Sequence, residues 1–280
     1  MSGSTYDFVK GHGTENDFVL LPDPDGSVHG PLSDERVRAL CDRHAGIGGD
    51  GVLRVIRTAA YAADWPGAPA TTAEGEWFMD YRNADGSIAE MCGNGTRVFA
   101  AYLRAHHRAG EEIVVATRAG DKRLTFDGEL WTVDLGEPLL LGWSEVSVGE
   151  STWKARHVDM GNPHAVALVE EPVAGLDLGR QPAFDAAIYP HGVNIELVER
   201  LGEGRLRMRV HERGVGETRS CGTGIGATAV ATMEADGHVA DGATYVVDVP
   251  GGRLTVTWTA DDRVLLTGPA ALVATGTTGL

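Results

Sequence analysis

The 280-residue sequence has few features of a secreted or membrane-spanning protein. Its three cysteines, Cys41, Cys92 and Cys221, are too few, and odd in number, for a disulfide framework. No apolar run approaches the roughly 20 residues that cross a bilayer, and the first thirty residues lack the basic-then-apolar order of a signal peptide. These absences predict a cytoplasmic protein of one or two globular domains whose cysteines are thiols.

Basic residues are also scarce. Against 40 Asp and Glu there are 24 Lys and Arg, a formal net charge of −16, and no basic cluster, which argues against a nucleic-acid or membrane partner. Only Lys10, Lys122 and Lys154 are lysines, none in an obvious Schiff-base context, which argues against pyridoxal phosphate. No cluster has metal-ligand spacing, so we also expect no metal.

One glycine-rich segment, Gly46-Ile-Gly-Gly-Asp-Gly51, matches a dinucleotide-binding pattern in the wrong context. Such a site requires a strand, then the glycines, then a helix. Here residues 33 to 45 are predicted to be helical, with Ser33 as the N-cap, and residues 51 to 56 form a predicted strand. The order is reversed, so we do not interpret the segment as a nucleotide site.

The chain contains an internal repeat. Three pairs of similar segments recur in the same order, 129 to 147 residues apart: His12–Val19 with Asp159–Val166, Ala89–Thr96 with Thr218–Ile225, and Ala119–Phe126 with Pro250–Val256. Three matches in register predict a duplicated α/β unit. The central pair has Cys-Gly-x-Gly in common, followed each time by a helical pattern.

The two helical patterns predict the centre of each half. Apolar residues at 98, 99, 102 and 103 predict a helix from about 93 to 108, and the nearly all-apolar Ile225–Ala235 predicts a helix buried on most sides. Most segments between them are short and strand-like. We therefore expect an α/β (α+β) fold of two pseudo-symmetric lobes, each a curved, mostly antiparallel sheet or barrel around a central helix. Trp65–Gly75 is predicted to be a loop insertion.

The positions of Cys92 and Cys221 predict that both are catalytic residues. Unpaired N–H groups and the positive dipole end at the start of a helix lower the pKa of a thiol. The adjacent glycines let backbone amides approach a carboxylate closely. Two thiols acting on opposite faces of one ligand can form a two-base isomerase, in which one thiolate removes a proton from carbon and the other thiol returns one. Cys41, inside an apolar helical pattern, is interpreted as a core residue.

Motifs spread over nearly the whole chain resemble the diaminopimelate epimerase family. They are Gly13-Thr-Glu-Asn-Asp-Phe18, Gly46–Gly51, Tyr81-Arg-Asn-Ala-Asp-Gly-Ser87, Met91-Cys-Gly-Asn-Gly95, Gly161-Asn-Pro-His164, Glu212–Gly224, Pro250-Gly-Gly252 and Gly268-Pro269. The resemblance implies cofactor-independent interconversion of LL- and meso-2,6-diaminopimelate in the lysine and peptidoglycan-precursor pathway. It also implies an N-terminal lobe of about 1–134 plus 269–280, carrying Cys92, and a C-terminal lobe of about 135–268, carrying Cys221.

The same resemblance implies roles for individual residues. Cys92 and Cys221 occupy the catalytic acid and base positions, and His164 and Glu212 the positions that adjust thiol ionisation. Substrate-binding positions are Asn16, Asn83, Gly93, Asn94, Asn162, Asn194, Glu212, Arg213, Gly222 and Thr223. Arg213 is expected to hold the distal carboxylate with two parallel hydrogen bonds, and Glu212 the distal ammonium.

Several alternatives remain open at this point. A related racemase for proline or hydroxyproline typically has His at the position of Asn94. A thiol hydrolase using Cys221 with His164 would leave Cys92 unexplained, and a binding protein would need no thiol. The family resemblance also implies a homodimer, although the C-terminal Ala274-Thr-Gly276 lacks an aromatic residue that some members place at the dimer contact.

Overall fold

The computed structural model describes residues 5–64 and 74–280, which form two compact units. One unit contains the described residues up to Val133 together with Pro269–Leu280, and the other contains Asp134–Gly268. The helices are α1 (Asp34–Cys41), α2 (Thr58–Asp64), α3 (Gly93–His107) and α4 (Gly222–Ala235), with a short 3-10 helix at Val173–Gly175. None of the helices in the described part of the chain is long and apolar enough to cross a membrane.

Eighteen strands are assigned within the described residues. They are β1 (Tyr6–Gly13), β2 (Asn16–Pro22), β3 (Gly51–Arg57), β4 (Trp77–Asn83), β5 (Glu112–Thr117), β6 (Gly120–Phe126), β7 (Trp131–Gly136), β8 (Leu139–Val148), β9 (Ser151–Asp159), β10 (Pro163–Val169), β11 (Ala183–Phe184), β12 (Asn194–Gly202), β13 (Arg205–Glu212), β14 (Gly216–Thr218), β15 (Thr244–Val249), β16 (Gly252–Trp258), β17 (Val264–Gly268) and β18 (Ala271–Thr278).

In the first unit the strands pair in the order β18-β1-β2-β3-β4-β5-β6-β7. The pairs β2–β3 and β4–β5 are parallel and the others antiparallel. Strand β18, from the end of the chain, completes the sheet beside β1. Helix α3 packs against six of these strands, so the sheet curves around it.

The second unit repeats this pattern in the order β8-β9-β10-β12-β13-β15-β16-β17. Its parallel pairs, β10–β12 and β13–β15, fall at the same places as those of the first unit. Helix α4 has the position of α3, and β8 the position of β18. The predicted fold of two similar, mostly antiparallel halves, each around one long helix, is therefore confirmed.

The two long helices have the predicted burial. Val98, Phe99, Tyr102 and Leu103 on α3 are all at most 4% exposed, and α4 is buried on nearly every side from Gly222 to Met233. Helix α3 ends where Arg108 adopts a left-handed conformation with φ 55°. Each helix therefore forms the core of its own unit.

The predicted helix at 33–45 is too long. Ser33 is the N-cap as expected, and its side chain accepts a hydrogen bond from the backbone N–H of Arg36, but α1 ends at Cys41. Asp42 terminates it because its Oδ1 accepts hydrogen bonds of 2.7 Å from the N–H groups of His44 and Ala45, forming a local turn. The predicted loop insertion Trp65–Gly75 lies, through residue 73, outside the described residues.

Candidate active site

In each unit the topology collects predicted site residues at one end of the sheet. In the first, Asn16 begins β2, Gly51 begins the parallel strand β3, and Asn83 ends β4 directly opposite Gly51. In the second, His164 and Asn194 are register partners near the starts of the parallel strands β10 and β12. Each group lies at the strand ends because parallel neighbours begin at the same edge and an antiparallel neighbour ends there.

Cys92 is the N-cap of α3. Its backbone is extended, and its Sγ accepts a hydrogen bond from the N–H of Gly95 at 3.4 Å. Asn16 Oδ1 lies 3.6 Å from the same sulfur and accepts a 3.2 Å hydrogen bond from Asn94 Nδ2. The structure therefore brings together three residues that the sequence predicted for the site.

Asn16 is held in place by an acidic residue that the sequence analysis did not single out. Its Nδ2 donates to Asp50 Oδ2 at 2.8 Å, and Asp50 also accepts from Arg43 and from the N–H of Asp17. Burial raises the pKa of Asp17, but hydrogen bonds and positive charge from Arg43 and Lys10 outweigh that effect and lower it. The hydrogen bond to Asp50 fixes the Asn16 amide so that its oxygen faces Cys92.

A fully buried cation, Arg97, lies one turn into α3. Its guanidinium donates to the side-chain oxygen of Asn94 at 2.9 Å and to the carbonyl oxygens of Gly93 and Pro269. It makes no ion pair with a carboxylate in the described part of the chain. Burial lowers the pKa of Arg97 to about 10, while the charge of a Cys92 thiolate acts in the opposite direction. A negative sulfur at Cys92 therefore has a buried positive partner.

Asn83 is the last residue of β4 and leads into the following turn. Its side-chain Nδ2 donates to Ser87 Oγ at 3.0 Å, and its N–H donates to the Ser87 carbonyl. The next residue, Ala84, donates its N–H to the backbone carbonyl of Asp50, and this hydrogen bond places Asn83 close to Asp50. The turn thus places Asn83 next to the group that holds Asn16.

Cys221 is the N-cap of α4 and is 8% exposed. Thr223 Oγ1 lies 3.6 Å from its Sγ. Burial raises the pKa of Cys221 well above its ordinary value, and Glu212 and Glu196 raise it further, against hydrogen bonds from Gly224 and Thr223. The two N-cap cysteines therefore have different surroundings, since a cation lies near Cys92 and carboxylates near Cys221.

His164 is linked to Cys221 through side chains. Its Nε2 lies 3.0 Å from Asn162 Oδ1, and Asn162 Nδ2 donates to Thr223 Oγ1 at 3.3 Å. On its other side, His164 Nδ1 lies 2.7 Å from Glu196 Oε1, and both side chains are fully buried. The predicted residues Asn162, His164 and Thr223 thus belong to one network, which ends on a glutamate that was not predicted.

Asn194, Glu212 and Arg213 meet where β12 begins and β13 ends. Asn194 Nδ2 donates to the carbonyl of Pro163, and its Oδ1 accepts from the Arg213 N–H at 2.9 Å. Glu212 accepts a hydrogen bond from Thr218, and Arg213 is exposed. Asn194 therefore positions the backbone from which the Arg213 side chain extends.

Three residues with large effects on these sites, Asp50, Arg97 and Glu196, were not among the predicted site residues. Asp50 lies in the Gly46–Gly51 motif. Arg97 and Glu196 are charged residues in runs of buried residues, on α3 and within Val193–Val198. A charge within a buried pattern was the available signal, because such a group is retained only with a partner or a role.

The family whose model matches this chain is described as diaminopimelate epimerase, and it covers residues 8–141 and 156–273. A protein of that name from Streptomyces coelicolor is 54% identical over 278 residues, covering 96% of this chain and 94% of the relative. Another from Rhodococcus jostii is 50% identical over 283 residues, covering 97% and 96%.

Solved structures with the same fold are more distant in sequence. A PhzF-family phenazine biosynthesis protein from Bacillus anthracis has a TM-score of 0.73 at 14% identity, covering 98% of this chain and 99% of its own. A hydroxyproline epimerase from Agrobacterium vitis has a TM-score of 0.66 at 15% identity, covering 98% and 92%. At such identities the likeness concerns the fold alone.

Proposed function

The chain belongs to the diaminopimelate epimerase family, and on this premise we propose that Cys92 and Cys221 carry out the proton transfers of the reaction. The protein is an isomerase that interconverts LL- and meso-2,6-diaminopimelate, a reaction of lysine biosynthesis. This reading is favoured over a proline or hydroxyproline racemase, because relatives about half identical over nearly the whole chain are diaminopimelate epimerases.

The observation that carries the proposal is the matched position of the two thiols. Each cysteine has an extended backbone and is the N-cap of the buried helix of its own unit. Three residues later, Gly95 donates its N–H to the sulfur of Cys92 at 3.4 Å, whereas Cys221 has no side-chain cap hydrogen bond and the amide of Gly224 favours its thiolate. A sulfur that accepts such a bond, at the positive end of a helix dipole, is suited to exchanging a proton with carbon.

The reaction is a balanced pair of proton transfers. A thiolate takes the proton from the α-carbon, so that a C–H bond breaks and an S–H bond forms. The electron pair delocalises into the adjacent carboxylate as an enediolate. The second thiol then gives its proton to the other face of the carbon, which inverts the centre and leaves that sulfur as a thiolate. The two cysteines exchange protonation states in one turnover.

The developing charge requires stabilisation because the α-proton of an amino acid is weakly acidic. The first-turn amides of α3 and α4, from Gly93, Asn94, Gly222 and Thr223, have no carbonyl partner within their own helices. We assign them to the carboxylate of the reacting centre, where their fixed dipoles act as the charge develops. The side chains of Asn16 and Asn162 lie next to this first turn in their respective units, with oxygen and amide groups able to orient an ammonium and a carboxylate.

The second end of the substrate distinguishes diaminopimelate from shorter amino acids. Arg213 is exposed on a backbone that Asn194 fixes, and its guanidinium can hold a carboxylate with two parallel hydrogen bonds. Glu212 beside it is an acceptor for the distal ammonium, and Asn83 offers a further amide. With these residues the enzyme would distinguish diaminopimelate from shorter amino acids, which lack the distal carboxylate and ammonium groups.

The enzyme is further proposed to act in the cytoplasm as a homodimer and to supply peptidoglycan precursors as well as lysine. The free cysteines support a reducing compartment. Exposed apolar residues on β8, Leu139, Leu141 and Trp143, offer a surface that a second copy could cover.

The test compares alanine variants of the three cysteines. Cys92→Ala and Cys221→Ala are expected to lose turnover of LL-diaminopimelate by at least about a thousandfold while remaining folded, because each deletes one of the two proton carriers. Cys41→Ala, which removes a thiol from the core of the first unit, is the matched control and should retain turnover. Normal turnover by either of the first two variants would contradict the assignment.

A further inference from the structure

A carboxylate with no direct place in the proton transfer is buried beneath Cys221. Glu196 is fully buried on β12, between Ile195 and Leu197, which are themselves fully buried. Its Oε1 contacts His164 Nδ1 at 2.7 Å, but its Oε2 has no hydrogen-bond partner among the residues that the structure describes. An unsatisfied buried carboxylate oxygen is destabilising, so its presence requires a reason beyond stability.

The internal repeat shows that the fold does not need this polar pair. The strand pairing that sets His164 beside Asn194 matches the pairing that sets Phe18 beside Gly51, so Phe18 corresponds to His164 and, two residues along, Leu53 to Glu196. Phe18 and Leu53 are fully buried apolar residues. At the same place under its helix, one unit therefore has a phenylalanine and a leucine where the other has a histidine and a glutamate.

The glycines above the two pairs confirm that the positions are equivalent. A Cβ atom at Gly95, three residues after Cys92, would lie 3.5 Å from both Phe18 and Leu53. A Cβ atom at Gly224, three residues after Cys221, would lie 2.6 Å from Glu196 Oε1 and 3.3 Å from Cys221 Sγ. The carboxylate and the thiol therefore share one small space at the first turn of α4.

We propose that Glu196 is a positioning residue for the Cys221 half of the epimerisation, whose carboxylate fixes the His164 ring and holds Cys221 as the protonated thiol until substrate is bound. This inference rests on the proposed role of Cys221. The 2.7 Å contact between Glu196 Oε1 and His164 Nδ1 fixes the orientation of the ring. It leaves Nε2 3.0 Å from Asn162 Oδ1, and Asn162 Nδ2 donates to Thr223 Oγ1, which lies 3.6 Å from Cys221 Sγ.

The charges around Cys221 explain why the carboxylate would keep it protonated. Glu196 on β12 and Glu212 on β13 both disfavour a thiolate, as burial does. His164 on β10 faces the network through Asn162, and the amide of Gly224 and the hydroxyl of Thr223 on α4 favour the thiolate. An amino-acid substrate brings its own ammonium group, which would change this balance when the site is filled.

The experiment compares Glu196→Gln with the wild-type enzyme. Gln keeps the size and one acceptor oxygen but removes the charge. We expect kcat to fall at least about tenfold with little change in KM. The alkylation of Cys221 by iodoacetamide, quantified by mass spectrometry without substrate, should reach half its maximal rate about one pH unit lower. The pH at which alkylation of Cys92 reaches half its maximal rate should be unchanged in the same samples.

Two further variants separate this role from a structural one. Glu199→Gln, on the same strand and paired with Arg207, should change neither kcat nor the alkylation profile. The double variant His164→Phe with Glu196→Leu copies the apolar pair of the first unit and should fold. It should nevertheless have a lower kcat, and alkylation of its Cys221 should reach half its maximal rate at a lower pH than in the wild type.

These experiments distinguish failure of the proposed role of Glu196 from failure of the proposed function. An unchanged kcat and an unchanged Cys221 profile in Glu196→Gln would overturn the role of Glu196. If Glu196→Gln does not fold, the double variant decides, and a folded double variant with a wild-type profile would equally overturn it. Normal turnover by Cys221→Ala would instead contradict the two-thiol mechanism itself.

Discussion

Glu196 leaves no room for a side chain at Gly224. A Cβ atom added to Gly224 would lie 2.6 Å from Glu196 Oε1, which is shorter than the contacts that real Cβ atoms make. A larger residue at this helical position would therefore require the Glu196 carboxylate, which is fully buried and contacts His164, to move. In the first unit, the nearest described atom to a Cβ added at the corresponding Gly95 is Cys92 Cβ, at 3.3 Å.

Gly224→Ala is accordingly expected to destabilise the protein by about 1–3 kcal/mol, because the carboxylate must move within a closely packed interior. It should also reduce kcat, since the Cys221 network moves with the carboxylate. Gly95→Ala is the matched control and should change the free energy of unfolding by less than about 1 kcal/mol, since alanine favours a helix. Urea unfolding and turnover of both variants measure this, and equal effects would contradict the account.

A buried cluster of charges supports the first unit away from Cys92. Asp80 is 1% exposed, and its carboxylate contacts Arg82 at 3.2 Å, Arg54 at 4.0 Å and Arg118 at a shorter distance. Asp80→Asn removes a buried negative charge that three guanidinium groups share, although Arg54 keeps its pair with Asp23, and should lower the free energy of unfolding by about 3–5 kcal/mol.

The control for Asp80 is an exposed pair. Glu76 is paired with Arg57, and both side chains are at least half exposed. Glu76→Gln should therefore change the free energy of unfolding by less than about 1 kcal/mol. Urea unfolding of both variants would show the contrast, and a comparable loss in each would mean that the cluster is not what stabilises this region.

The buried thiols predict a loss of stability in alkaline solution. Burial raises the pKa of Cys41 from 9.0 to about 12. Above about pH 9 the unfolded chain loses this proton while the folded chain keeps it, so the free energy of unfolding decreases until the folded thiol also ionises near pH 12. Cys221 acts in the same direction.

Cys41→Ala removes one of these thiols, so comparison with the wild type measures how much Cys41 contributes to the pH dependence of the free energy of unfolding. Its free energy of unfolding, measured with urea at several values between about pH 8 and pH 11, should decline less steeply with pH than that of the wild type. Parallel curves for the two proteins would show that Cys41 has no raised pKa.

Arg213 provides a test of substrate length. Lysine cannot make two parallel hydrogen bonds to one carboxylate, so Arg213→Lys should raise KM for diaminopimelate by about tenfold, with a smaller change in kcat. Arg253→Lys, at an exposed arginine paired with Asp248, is the control and should leave both constants unchanged. An unchanged KM in Arg213→Lys would place the distal carboxylate elsewhere.

Features set by local sequence were predictable. The Cys-Gly-x-Gly segments and the apolar spacing after them located both long helices, and the repeated segments revealed the duplication before any strand pairing was known. The end of α1 was not predicted, because the side chain of Asp42 captures two backbone amides and competes with a continuing helix.

The surroundings of the thiols depend on contacts that no local pattern contains. Glu196 meets His164 across 32 residues of sequence, and Asp50 meets Asn16 across 34. Only the pairing of strands β2 with β3 and β10 with β12 brings those side chains together. The sequence could therefore indicate which cysteines act but not that a carboxylate lies under one of them.

The central claim is that one thiol removes the α-proton and another returns a proton to the opposite face. The most direct measurement is the first phase of the reaction of unlabelled LL-diaminopimelate in D₂O, followed by NMR and mass spectrometry. The account predicts that deuterium enters the α-carbon of the newly formed meso isomer, while recovered LL-diaminopimelate remains essentially unlabelled. Meso product that retains the original hydrogen, or LL-substrate that gains deuterium as fast as product forms, would contradict it.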